Sequence, residues 1–413
     1  MNPMTQQTTR HAKGHLTPAA ADLPVISPSA GLSFLGDVRV LDLTTSIAGP
    51  YASMLLADFG AEVIKVERPG GDDSRRWGPP FLEGESLWYL SVNRNKKSVV
   101  LDLTDAAGRQ EFDRLVQGAD VVLTNQPLSV QRKLGLDYDT LRAIRPDLIF
   151  TSITGFGLTG QRADLTCYDL IAEGYSGIMD ITGTAEGDPQ KIGAPAADML
   201  SGQDAATATI AALYDRKTSG QGRLIDVALV ESMTRFLSCR ISAYLGSGDV
   251  PRRSGGTDSV IAVYQQFRTA DASMTLGLGT DGIWARFWKA VGAPEFAKEP
   301  GLETNASRSI HRARIVERIQ QILLTRPRDE WLDLFASARV PAGPIYGVDE
   351  VVADAGLLER GLFFVLDDGG TPVPQIGLGI HIDGQPVRPR SAPPKLGQHT
   401  ADYTANDTDK AAD

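Results

Sequence analysis

The chain has 413 residues, more than one hydrophobic core usually serves, so two domains are expected. With 42% hydrophobic and 22% charged residues it has an ordinary globular composition, and its formal net charge of -10 argues against a general binder of nucleic acid or anionic membrane. Cys167 and Cys239 are too few for a disulfide framework and sit in no metal-ligand spacing, no apolar run nears the roughly 18 residues of a membrane span, and the N-terminus lacks a signal-peptide core; these features predict a soluble, cytoplasmic protein without a metal.

Residues 1–33 are polar, Pro- and Ala-rich and aperiodic, and read as a flexible extension. Order is expected from about Leu35. VRVLDLT (38–44) has the pattern of a buried strand, GPYASMLLADFG of a helix with Pro50 near its first turn and Gly60 at its end, and AEVIKVE (61–67) of the next strand. This βαβ unit is followed by strands at 98–103, from Asp120 and from Leu148, with a helix over 106–117. Such alternation predicts an α/β fold with a doubly wound parallel sheet over 34–230.

A long small-residue helix runs from Met199 to about Arg216, then a turn and strand in KTSGQGRLIDVAL, then a helix over about 231–244. The glycine-rich 246–259 closes a linker region, 231–259. VIAVYQQF and MTLGLGT around TADAS read as a hairpin, with amphipathic helices at 281–291, 310–324 and 329–336, giving a smaller α+β domain over 260–340. PAGPIYGV reads as the return crossing, 341–400 as the C-terminal part of the large domain with a strand near Leu362, and 401–413 as a flexible tail.

The loop after the first strand reads TTSIAGP and lacks GxGxxG, whose glycines permit close backbone approach to a pyrophosphate; a dinucleotide site of that kind is not expected. GxxxxGK[ST], GxSxG and HExxH are also absent. The five histidines are scattered and none lies in the α/β segment, which speaks against a His-based triad or zinc site. Cationic positions remain there: Lys65, Arg68, Arg75, Arg76, Arg94, Lys96, Lys97, Arg132 and Lys133. Singly they read as solvated surface charges; together they suit a phosphate-bearing ligand at the carboxyl ends of the strands.

Asp198 ends the run KIGAPAAD and opens the long helix. An aspartate there reads as an N-cap, its carboxylate taking first-turn amides. The same place also suits a nucleophile, kept ionised by those amides and the helix dipole, with Ala, Gly and Met leaving room for a reactant. Both readings can hold together.

As whole strings, VRVLDLTTSIAGPYASMLLADFGAEVIKVERPGGDD, NRNKKSVVLDL, LGLDY, SITGFGLTG, TCYDLIAEGYSGIMDITG, KTSGQGRLIDVALVES and PAGPIYGV resemble the family III CoA-transferases (CaiB/BaiF type), a superfamily that includes the α-methylacyl-CoA racemases. The resemblance spans about Leu35 to His399. It implies a Rossmann-like large domain with a smaller α+β domain in an interlocked homodimer, coenzyme A as a substrate, no permanently bound cofactor, and acyl-CoA and carboxylic acids as partners. It puts the nucleophile on Asp198, which would pass through aspartyl anhydride and aspartyl-CoA thioester intermediates. Arg68, Leu101, Thr104, Asn125, Lys133 and Asp169 match CoA-groove positions. Tyr168, Ile47 and the glycine pair Gly255 and Gly256 match the acyl site and its mobile loop.

Two departures stand out. TNQPLS (124–129) replaces the family's ENFRPG, and Ile47 replaces a glutamine of the formyl-CoA enzymes, which makes formyl or oxalate a poor substrate expectation. The racemases place a histidine where this chain has Tyr168, and a phenol with a reference pKa near 10 is a poor second base, so transfer is favoured over racemisation. An acyl-CoA racemase or isomerase, or a non-catalytic CoA-binding relative, are the alternatives.

Overall fold

The computed structural model describes residues 16–404, which form two compact units. The larger comprises the chain up to 178, 192–241 and the chain from 352; the smaller comprises 179–191 and 242–351.

The larger unit is built on six strands. They are β1 (Arg39–Asp42), β2 (Glu62–Glu67), β3 (Lys96–Val100), β4 (Val121–Thr124), β5 (Ile149–Thr154) and β6 (Arg223–Ala228). All pairings are parallel and the order is β3-β2-β1-β4-β5-β6, the doubly wound arrangement whose order reverses beside β1. The near-continuous Val, Ile and Leu runs of the inner strands follow from burial on both faces. Leu41, Ile64, Val99, Val122 and Phe150 meet Phe112 and Leu115 of α2 (Ala106–Gln117) in one core.

The helices that shape the carboxyl edge are α1 (Ala48–Asp58), α3 (Leu128–Leu134) and α4 (Tyr138–Ile144). They are joined by α5 (Asp169–Ser176), α6 (Ala196–Ser219) and α7 (Leu229–Phe236). The single helix expected over 231–244 is instead α7 and then α8 (Ser238–Ser247).

Both expected flexible ends need correction where they are described. Val25–Ile26 is a strand pairing in parallel with Phe363–Leu366, Ala20 and Leu23 are buried, and Ser29 N donates to Pro389 O at 3.0 Å. At the other end Tyr403 Oη donates to Glu62 at 2.6 Å and accepts from Lys97 at 2.8 Å. Composition marks these segments as loop-like, yet partners far away in sequence fix them, through the backbone at Val25–Ile26 and through side chains at Tyr403. Residues 1–15 and 405–413 lie outside the described residues.

The smaller unit has an antiparallel sheet, β7 (Tyr264–Arg268), β8 (Ser273–Gly277) and β9 (Ala342–Pro344), in that order. One hydrophobic cluster joins Phe267, Met274 and Leu276 to Trp284, Phe287 and Trp288 of helix Asp281–Ala290, and to Trp331 and Phe335 of helix Arg328–Ala338.

Candidate active site

In a doubly wound sheet the connections after the strands flanking the reversal of order run to opposite faces, leaving a crevice at the carboxyl ends. Here that crevice opens between β1 and β4, and residues 44–47, after β1, are held from below. Asn125, just past β4, spans Thr45: Asn125 Oδ1 accepts from Thr45 N at 3.0 Å and Asn125 Nδ2 donates to Thr45 O at 2.7 Å. Asp72 Oδ1 accepts from Ser46 N at 3.0 Å, which fixes Ser46 at a left-handed φ of 69° without glycine. Lys65 Nζ donates to Thr44 O at 2.8 Å and pairs with Asp72 at 2.9 Å.

Beneath this loop Asp42 and Lys96 are a fully buried pair at 3.1 Å, with Ser53 Oγ donating to Asp42 at 2.6 Å. Burial alone would raise the Asp42 carboxyl, but Lys96 and Lys65 overcome it and hold it down to about 2. Burial dominates at Lys96, whose ammonium falls to about 8 despite Asp42. These groups are part of the scaffold. Of the nine cations singled out by sequence, Lys65, Arg75, Arg94 and Lys96 are buried with carboxylate partners and are not available to a ligand. Arg68 and Arg76 stay exposed, both held at 2.6 Å by Asp73 Oδ1, and Arg132 and Lys133 are exposed on α3.

The start of α1 faces the same crevice. Its cap residue Ile47 offers no side-chain bond, and the amides of Ile47, Ala48 and Gly49 donate none among the described residues. Helix α6 meets α1 backbone to backbone at this point: a Cβ on Gly202 would stand 2.5 Å from Ala48 O. Asp198 is four residues before Gly202, one turn earlier on the same face of α6.

Asp198 is not the N-cap. It is the third residue of α6, the cap position belongs to Pro195, and the amides of Ala197 and Asp198 are taken by Asp169 Oδ1 at 2.8 and 3.2 Å. Among the described residues no hydrogen bond or ion pair reaches the Asp198 carboxylate. Burial first, then the charge of Asp169, push it up to about 7, opposite to the ionised cap expected from sequence. Neighbouring Cys167 is raised to about 11, by burial and then by Asp198, so its thiol stays protonated and does not compete as a nucleophile.

The other sequence-singled residues fall in two places. Ile47 is buried at the α1 start, and Tyr168, 65% exposed, precedes Asp169 at the head of α5. Arg68 follows β2, Leu101 and Thr104 follow β3, and Lys133 is on α3, all on the carboxyl edge of the larger unit; Leu101 is buried and Thr104 exposed. Gly255 and Gly256 belong to the smaller unit, where with left-handed φ of 63° and 87° they border a cleft of about 720 Å³ shared with Tyr264, Thr275 and Gly343. Sequence reading missed Asp72 and Gly202. The second had a faint signal, a small residue one helical turn after the candidate nucleophile.

The model of "CoA-transferase family III" matches residues 35–400. The chain belongs to that family. Among similar proteins, a succinate–glutarate CoA-transferase of Agrobacterium fabrum is 40% identical over 379 residues, covering 90% of this chain and 95% of its own. A succinyl-CoA:glutarate CoA-transferase of Mus musculus is 37% identical, covering 89% of this chain and 84% of its own. A CaiB/BaiF family crystal structure from Brucella suis superimposes with a TM-score of 0.80 at 38% identity, covering 90% of this chain and 98% of its own. The protein is therefore a family III CoA-transferase with CoA as a substrate. No helix among the described residues is long and apolar enough to cross a membrane.

Proposed function

We propose that this CoA-transferase moves CoA from succinyl-CoA to a short dicarboxylic acid of glutarate size, with Asp198 as the nucleophile. The observation that carries the reading is an unpaired buried carboxylate, raised to about 7, one helical turn before the point where α6 meets the start of α1. The named activities of the two similar enzymes supply the substrate class. An Asp198 oxygen attacks the thioester carbonyl, the C–S bond breaks, and CoA leaves as thiolate with a mixed anhydride left behind. Thiolate attack on the Asp198 carbonyl expels succinate and gives the aspartyl-CoA thioester. The acceptor carboxylate then displaces thiolate to form a second anhydride. Thiolate attack on the acceptor carbonyl releases the new acyl-CoA and restores Asp198. In this reading the Ile47, Ala48 and Gly49 amides, which donate no hydrogen bond among the described residues, would take the developing oxyanion at each carbonyl attack.

For CoA itself the reading assigns Arg68 and Lys133 to phosphates, Leu101 and Thr104 to adenine, and Asn125 to holding the loop that backs the thioester. Tyr168, Ile47, Gly255 and Gly256 would shape the acyl site. The same reading includes an interlocked homodimer in the cytoplasm. Exposed Tyr214, Phe236 and Leu245 on the larger and smaller units, and the free thiols of Cys167 and Cys239, support it. The test is chromatographic conversion of succinyl-CoA and glutarate to glutaryl-CoA and succinate in D2O. Stoichiometric exchange without α-deuterium is expected; α-deuteration without exchange would transfer the assignment to a racemase.

A further inference from the structure

Asp169 opens α5, yet its carboxylate does not cap that helix. It reaches across 28 and 29 residues of sequence to the Ala197 and Asp198 amides, the second and third of α6. Those are the donors that an N-cap side chain normally accepts from, and Pro195, at the cap position, has no side-chain acceptor to offer. One carboxylate thus caps the helix on which the other stands. From the packed elements, Asp169 at the head of α5 and Cys167 before it interact with Asp198, while Tyr51 of α1 lies against Gly202 and Glu173 Oε2 of α5 accepts from Ile192 N at 2.8 Å. On α7, Ser232 and Arg235 bond Asp204, further along α6. β5 carries no charged side chain, and Asp226 of β6 accepts from Leu158 N. No cation pairs with Asp198 among the described residues.

We propose that Asp169 is a positioning residue for CoA transfer: it takes the helix amides that would otherwise solvate Asp198 and holds a fixed negative charge against it. The inference rests on Asp198 being the nucleophile. In the resting enzyme two anions share one helix start. As anhydride or thioester, Asp198 is neutral and the repulsion is gone, so Asp169 favours the covalent intermediates over the resting carboxylate. This agrees with the raised Asp198 carboxyl, for which burial is the first cause and Asp169 the second.

Asp169→Asn separates the two parts of the role, because its amide oxygen can still accept both helix amides while the charge is lost. The Asp198 titration is read directly by NMR of 13C-carboxyl-labelled aspartate, assigned by difference with Asp198→Asn, alongside the pH profile of kcat/KM for succinyl-CoA and glutarate. The expected result is a midpoint lower by about one unit, an acid limb of kcat/KM that moves with it, and kcat reduced roughly 10-fold or more. Asp169→Ala, which loses the cap as well, should show the same titration shift with a lower melting temperature. An unchanged midpoint in folded Asp169→Asn would overturn the proposal and leave Asp169 a helix cap only. A lowered midpoint with a stationary acid limb would overturn its role in transfer by removing Asp198 from the nucleophile's place, which the NMR arm reveals independently of turnover.

Discussion

Two aspartates of the larger unit, Asp42 and Asp198, are both withdrawn from water and differ in what meets them. Asp42 sits under the loop after β1 with Lys96, Lys65 and two hydroxyls around it, and is held down to about 2. Asp198 stands at a helix start whose amides another carboxylate has taken, and is pushed up to about 7. Burial works against the charged form at both; partners decide the outcome. The paired aspartate is scaffold, and the one left without partners is suited to become an anhydride or thioester.

The largest effect that would break this contrast is at Asp198. Asp198→Asn should lower transfer by about 10³-fold or more in a steady-state assay while CoA still binds by calorimetry. Next in size is the scaffold: Lys65→Met strands the buried Asp72 and should cost about 3–5 kcal/mol in urea unfolding, as expected for one half of a buried pair removed. Gly202→Ala drives a methyl toward Ala48 O and should cost about 1–3 kcal/mol, with kcat falling because α1 and α6 are forced apart.

A smaller effect has the opposite sign. Asp198 titrates higher in the folded state than in the unfolded chain, so between about pH 4 and 7 the native protein holds the extra proton and wild-type stability falls as pH rises. Asp198→Asn escapes this, and should melt higher than wild type at pH 8 with the difference closing by pH 4. Asp42 behaves in reverse: its stabilisation is complete above about pH 4 and is lost as pH falls toward 2. The smallest expected change is at the loop clamp, where Asn125→Ala should raise KM for the acyl-CoA by about 3- to 10-fold through lost hold on Thr45.

The sheet was legible because hydrophobic runs and helix punctuation repeat with the period of their elements. VRVLDL, AEVIKVE and LIFTSIT announce buried strands, and Gly60 stops α1. Asp198 was legible as a position but not in its protonation, because that depends first on its burial and then on Asp169, distant in sequence and itself at a helix start that reads as ordinary capping. The same blindness affected Lys65 and Lys96. A lysine at a strand end reads as exposed, and only the fold reveals the aspartates that permit its burial. The short strand at Val25 escaped detection because its partner lies more than 300 residues away.

The central claim is tested most directly by mass spectrometry of the protein after incubation with succinyl-CoA and hydroxylamine, with peptide mapping. A CoA adduct or hydroxamate on Asp198, absent from Asp198→Asn, is the predicted result. Measurable turnover to glutaryl-CoA with an unmodified Asp198 peptide would contradict the account.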